Sequence, residues 1–169
     1  MTATIRPATP ADLPAIDHIF RTSFCDTFAH LYAAEDLATF LGTLSDERWR
    51  AEFGDLAMAF AVGPAEGEVA GFAKLGPNRL PHVEPGAVIE LRQLYLLKAA
   101  HGTGLASALM DWVLAEARRR GAERLALSVF SENWRAQAFY RRYGFVDRGP
   151  VTYIVGNHRD DDRVWELQL

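Results

Sequence analysis

Cysteine is almost missing from this chain: Cys25 is the only one among 169 residues. That excludes an internal disulfide and a cysteine-built metal site, and no sequence feature marks the thiol as a nucleophile. The five histidines (His18, His30, His82, His101 and His158) lack ligand spacing, so no metal is expected. Long apolar runs are absent too, none approaching the roughly 20 residues that span a bilayer. No apolar signal segment follows Arg6, and the expectation is a cytoplasmic protein with no membrane partner. Basic tracts are short. The longest is Arg118-Arg119-Arg120 in a chain of formal net charge -4, which argues against nucleic acid as a partner. Repeats and low-complexity segments are also lacking. What remains is 49% hydrophobic and 24% charged, the composition of one globular domain over residues 1–169.

Local patterns give the elements. Ile5-Arg6-Pro7 reads as a short strand. Thr9-Pro10-Ala11-Asp12 opens a helix that the apolar spacing of Leu13, Ile16, Ile19, Phe20 and Phe24 carries to about Phe24. Residues 34–53 read as two helices with a restart at Ser45. Residues 58–62 and 69–74 form a hairpin across Gly63 to Gly67, and a proline-rich loop follows from Pro77 to Pro85. Residues 88–97 form a strong strand, 103–120 the clearest helix, and 124–130 another strand, together a parallel strand–helix–strand unit. A short helix from Trp134 to Tyr143 ends at Gly144. Strands 151–155 and 164–169 close the chain around Gly156-Asn157, with Asp160-Asp161-Asp162 read as a solvated turn, against the functional reading of an acidic patch that draws in a polycation. The four tryptophans are assigned to packing. The fold class is α+β, a mixed sheet with helices on its faces.

The first chemical signal is His101-Gly102-Thr103-Gly104-Leu105-Ala106-Ser107, between a strand and the long helix. Glycines there allow a sharp turn that presents backbone N–H groups and a positive helix end to a phosphate. They equally suit a plain tight turn. A Walker A loop needs Gly-Lys-Ser/Thr, which is absent. The dinucleotide fingerprint needs a third glycine where Ser107 stands, although Glu132 imitates its ribose-binding acid.

Leu94-Tyr95-Leu96, a short loop, His101-x-x-Gly104-x-Ala106 and Leu109 resemble the acetyl-CoA motif of the GNAT superfamily of N-acetyltransferases. Asn133-x-x-Ala136-x-x-Phe139-Tyr140-x-x-x-Gly144-Phe145 resembles that family's second motif, and Ile5-Arg6-Pro7-Ala8 with Asp12-Leu13 its opening. The departure is His101, where Arg or Gln is usual. The resemblance implies a three-layer, mostly antiparallel GNAT-like sheet with acetyl-CoA as co-substrate. It implies that the backbone of Leu94, Tyr95 and Leu96, on a strand bulged there, holds the pantetheine arm. Gly102, Thr103, Gly104, Leu105 and Ala106, with His101 and Ser107 nearby, would cradle the pyrophosphate. Asn133 would bond the arm from its other side.

Amine acetylation also sets its own requirements. An alkylammonium has a pKa near ~10.4 and must lose a proton before it attacks. Glu90, an acid within an apolar strand, is the candidate base, against the plainer reading of a carboxylate paired with Arg92 or solvent. A departing thiolate needs a proton, and the family pattern puts Tyr140 there, against plain packing beside Phe139 and Tyr143. One arginine of Arg118–Arg120 could reach the cofactor's 3′-phosphate. Residues 90–96 with the helical 35–53 region look most like the polyamine-acetyltransferase branch, with a peptide amine as the alternative acceptor. The competing classes are a non-catalytic acyl-CoA-binding sensor and, more remotely, a nucleotide-binding oxidoreductase. Homodimers are common among such proteins, and the sequence does not fix the state.

Overall fold

The computed structural model describes residues 4–169, so the first three residues of the expected domain lie outside it. Seven strands form one sheet in the order β1-β2-β3-β4-β5-β7-β6. They are β1 (Arg6–Pro7), β2 (Ala59–Ala65), β3 (Glu68–Pro77), β4 (Val88–Leu96), β5 (Arg124–Phe130), β6 (Val146–Val155) and β7 (His158–Gln168). Every neighbouring pair is antiparallel except β4 and β5, whose crossover is helix α4 (Leu105–Arg119). The strand–helix–strand unit is therefore parallel as expected, inside a mostly antiparallel sheet.

Helices cover both faces. On one, α4 and α5 (Trp134–Tyr143) pack against Leu75, Leu125, Leu127 and Trp165, with Leu109, Met110 and Val113 fully buried. On the other, α1 (Leu13–Phe28), α2 (Ala34–Gly42) and α3 (Asp46–Gly54) pack against Val62 and Phe72 through Ile16, Ile19, Phe20, Phe24 and Trp49. The Ser45 restart is real: its hydroxyl accepts the Arg48 N–H at 3.1 Å as the N-cap of α3. Leu105, the first residue of α4, sits in a hollow left by two glycines. A Cβ on Gly63 would come within 2.5 Å of it, and one on Gly71 within 3.1 Å. These close approaches seat the start of α4 tightly on the sheet.

Several boundaries differ from the sequence reading; β6, for one, starts at Val146 rather than Val151. Helix α1 continues to Phe28, because Phe28 extends the apolar face one turn and packs on Phe24 with ring centroids 5.1 Å apart. The first hairpin turns at Glu66-Gly67, both with positive φ, rather than across Gly63 to Gly67. The aspartate run is not a turn: β7 begins at His158, directly after Gly156-Asn157, and carries Asp160, Asp161 and Asp162 within it. Trp49 and Trp165 are buried and Trp112 packs against the core, but Trp134 is exposed. Among the described residues no helix is long and apolar enough to cross a membrane.

Candidate active site

The site begins where two strands part. β4 and β5 pair at Val88–Arg124, Ile89–Leu125 and Glu90–Ala126, and no further. On its other edge Leu91 pairs with Leu75 and Gln93 with Lys74, so Arg92 is an extra residue, a bulge that bends β4 away from β5. The bulge lies two residues before the expected Leu94–Leu96 segment. Leu97 N–H donates to the Ala70 carbonyl at 2.8 Å. By antiparallel alternation, Leu94 and Leu96 then aim their N–H and C=O groups away from β3, into the gap. The Leu96 carbonyl accepts the buried Ser23 hydroxyl at 2.7 Å. The gap widens into a cleft of about 810 Å³.

The start of α4 forms one end of this cleft. Gly102 and Gly104 hold φ of +76° and +89°, and a Cβ at either would meet nothing within 4 Å. Glycine is needed there for backbone shape, not for space. His101, Gly102, Gly104, Ala106 and Ser107 line the cleft. Thr103 and Leu105 do not: the Thr103 hydroxyl donates to the Ala100 carbonyl at 2.7 Å, and Leu105 is buried in its glycine seat. The first N–H groups of a helix have no partner within it. Arg135 and Arg142 add positive charge beside them. Arg135 Nη1 lies 2.9 Å from His101 Nδ1; a guanidinium only donates, so that nitrogen accepts and the ring is neutral. Burial and the Arg135 charge lower the His101 pKa accordingly. The arginine run at the other end of α4 is remote from the cleft: Arg119 and Arg120 pair with Glu116, and Arg120 bonds the Met58 carbonyl.

Asn133 and Tyr140, from α5 and its cap, line the opposite wall. The Asn133 carbonyl oxygen is used as N-cap, accepting the Ala136 N–H at 3.2 Å, which leaves its amide NH2 for a ligand. Tyr140 stands edge-on to Phe139 and Phe145 at 5.5 and 5.6 Å. Burial raises its phenol pKa, so it is protonated at neutral pH. Open N–H groups at a helix start, two arginines and a splayed strand suit a pyrophosphate with an extended, amide-bearing arm.

The other end of the cleft is acidic and aromatic; the sequence reading weighed the aspartates as a patch for a polycation but put them in a turn and missed the tyrosines beside them. Tyr32, Tyr153, Asp160 and Asp162 line it, with Phe28 and Tyr95. The Tyr32 hydroxyl donates to Asp160, which also meets His158 Nε2 at 3.1 Å. The signal lay in period two: Asp160 and Asp162 are buried while Arg159 and Asp161, at the alternate positions, are exposed. Glu90 is not brought to this site. It does not line the cleft; its carboxylate is buried, accepts the Arg79 N–H at 2.9 Å, and is raised in pKa by that burial. Among the described residues no group of His, Cys, Asp and Glu side chains is arranged to hold a metal.

Comparison with known proteins agrees with this architecture. The chain is 38% identical over 140 residues to an uncharacterized N-acetyltransferase of Mycobacterium bovis, covering 81% of this chain and 85% of that one. The PaiA N-acetyltransferase of Thermoplasma acidophilum, solved with coenzyme A, superposes with a TM-score of 0.77 at 20% identity over the full length of both chains. The ribosomal-protein-alanine N-acetyltransferase of Brucella melitensis superposes with a TM-score of 0.75 at 26% identity, covering 98% and 99%. The model of the acetyltransferase (GNAT) family matches residues 15–145, and the chain belongs to that family, whose members carry acetyl groups from acetyl-CoA.

Proposed function

We propose that the protein transfers the acetyl group of acetyl-CoA to a primary amine, by direct attack within a ternary complex. The observation that carries this reading is the parting of β4 from β5 beyond Glu90–Ala126, directly beside the glycine-shaped start of α4. Acetyl-CoA supplies the thioester. The N–H groups at the start of α4, with Arg135 and Arg142, bind its pyrophosphate. The backbone of Leu94 to Leu96 orients the arm as an added strand, and the Asn133 amide holds it from across the cleft. The Leu96 N–H is the donor for oxygen charge that develops at the reacting carbonyl. Tyr140, protonated and with no other hydrogen-bond partner among the described residues, gives its proton to the departing sulfur. Glu90 receives no step, because its carboxylate is turned to the Arg79 backbone.

Among amines we place small polyamine-like acceptors first, supported by the net charge of -4 and the carboxylates at the cleft's far end. A peptide N-terminus is the second acceptor class, in line with the name of the Brucella protein. Free-thiol release from acetyl-CoA, measured across polyamines, aminoglycosides, amino acids and short peptides, tests the reading. Release that depends on an amine supports it and names the class. Tight acetyl-CoA binding with no release on any amine would instead favour a non-catalytic acyl-CoA-binding module.

A further inference from the structure

We infer that the acidic end of the cleft seats the acceptor, and that Asp162 binds the acceptor's ammonium group and then takes its proton. This rests on the amine-acetylating reading above. Five carboxylates are buried among the described residues: Asp12, Glu90, Asp160, Asp162 and Glu166. Four have partners. Asp12 pairs with Arg6, Glu90 accepts from Arg79, Asp160 meets Tyr32 and His158, and Glu166 lies between Arg124 and Arg148. Asp162 is only 7% exposed and lines the cleft, and its carboxylate has no hydrogen bond or ion pair among the described residues. A buried carboxylate without a partner is costly, and a cation arriving from the cleft removes that cost.

The surroundings of Asp162 define the ligand. On β7 itself, Asp160 shares its face and Asp161 lies on the other. Tyr153 approaches from β6, Tyr32 from the turn after α1, and Tyr95 from β4. Burial first, then the charges of Asp160 and Asp161, push its carboxyl up to about 7. Aromatic faces around one open carboxylate suit an alkylammonium, whose charge meets Asp162 while its methylenes lie on the rings. A second ammonium on the same chain would approach Asp160.

The protons balance. The ammonium gives one proton to Asp162, which passes it to solvent. The freed amine nitrogen forms its bond to the acetyl carbon as the carbon–sulfur bond breaks. The second nitrogen proton replaces on Tyr140 the one that Tyr140 gave to sulfur. The products are the acetamide, the free thiol of coenzyme A, and one proton released.

The test is kcat/KM for the best amine from about pH 5.5 to about 9, for wild type, Asp162→Asn, Asp162→Glu and Asp161→Asn. Acetyl-CoA affinity and melting temperature are measured alongside. Wild type should show a limb rising through about pH 7. Asp162→Asn should lose that limb and about 10²-fold in kcat/KM, the scale of a positioned base, while binding acetyl-CoA normally. Asp162→Glu should keep a limb at a shifted position. The exposed Asp161→Asn should keep the rate and a limb, moved slightly to lower pH because one of the charges that raise Asp162 is gone. An Asp162→Asn enzyme within about two-fold of wild type, with its limb unmoved, would overturn the inference and leave amine acetylation standing. Parallel loss of acetyl-CoA binding would overturn it too, by giving Asp162 a structural part. Wild type inactive on every amine, though binding acetyl-CoA, would instead remove the reading underneath. If the Asp162 variants do not fold, a wild-type profile flat between about pH 6 and about 8 decides against the role.

Discussion

Glu90 stands opposite Ala126 on the last rung joining β4 to β5. One rung earlier the sheet is continuous. Two residues later, the extra Arg92 has turned β4 aside and given the Leu94 and Leu96 backbones an edge with no strand on it. An unpaired edge inside a sheet is a standing invitation to an extended ligand. The same rung explains why Glu90 is buried yet absent from the cleft: it belongs to the closed part of the sheet.

Tyr140→Phe separates chemistry from binding. The ring packing on Phe139 and Phe145 is kept and only the hydroxyl is lost. Turnover should fall by about 10²-fold, as for removal of a general acid, with acetyl-CoA affinity unchanged. Steady-state kinetics with equilibrium binding of acetyl-CoA checks both.

Gly104→Ala tests the glycine turn. Its φ of +89° strains any side chain although the space is open, so stability should drop by about 1–2 kcal/mol. KM for acetyl-CoA should rise more than kcat falls, because the helix-start N–H groups are displaced. Gly42→Ala, in equally open space with no positive φ, should leave both unchanged or add a few tenths of a kcal/mol. Chemical denaturation and initial rates on the two variants make the comparison.

The buried Lys74 pairs with the half-buried Glu52 at 2.6 Å, with the ammonium 5.1 Å from the Trp49 ring. Glu52→Gln strands the lysine charge and should cost about 3 kcal/mol, whereas Lys74→Met with Glu52→Gln should recover most of it. A double-mutant cycle by urea unfolding shows whether the pair is coupled.

Asp162 also leaves a mark on stability. Its carboxyl sits near 7 in the folded chain against an ordinary 3.8, so the folded state holds a proton that the unfolded state has released. Between about pH 4 and 7 this contribution must fall as pH rises. Asp162→Asn should therefore melt above wild type at about pH 8 and converge with it near about pH 4. Thermal melts of both proteins across that range give the answer.

Much of this was legible in the chain. The apolar spacing of α4 and the glycines at 102 and 104 identified the helix and the turn, because both signals are local. The motif around Asn133 and Tyr140 placed α5 against the cleft. Less legible were features set by pairing at long range. The Arg92 bulge appears only in the register of β3 against β4. Asp160-Asp161-Asp162 reads as a solvated run until its alternation is set against β6, where Asp160 faces Tyr153 and Asp162 faces Val151. Glu90 drew the base assignment by standing alone in an apolar strand, yet position along a strand does not say which way its carboxylate turns.

Initial rates with acetyl-CoA and the best amine both varied test direct transfer most squarely, with product identified by mass spectrometry. Intersecting double-reciprocal lines and an N-acetylated amine are the predicted result. Parallel lines, or thiol release that does not depend on the amine, would contradict direct attack in a ternary complex.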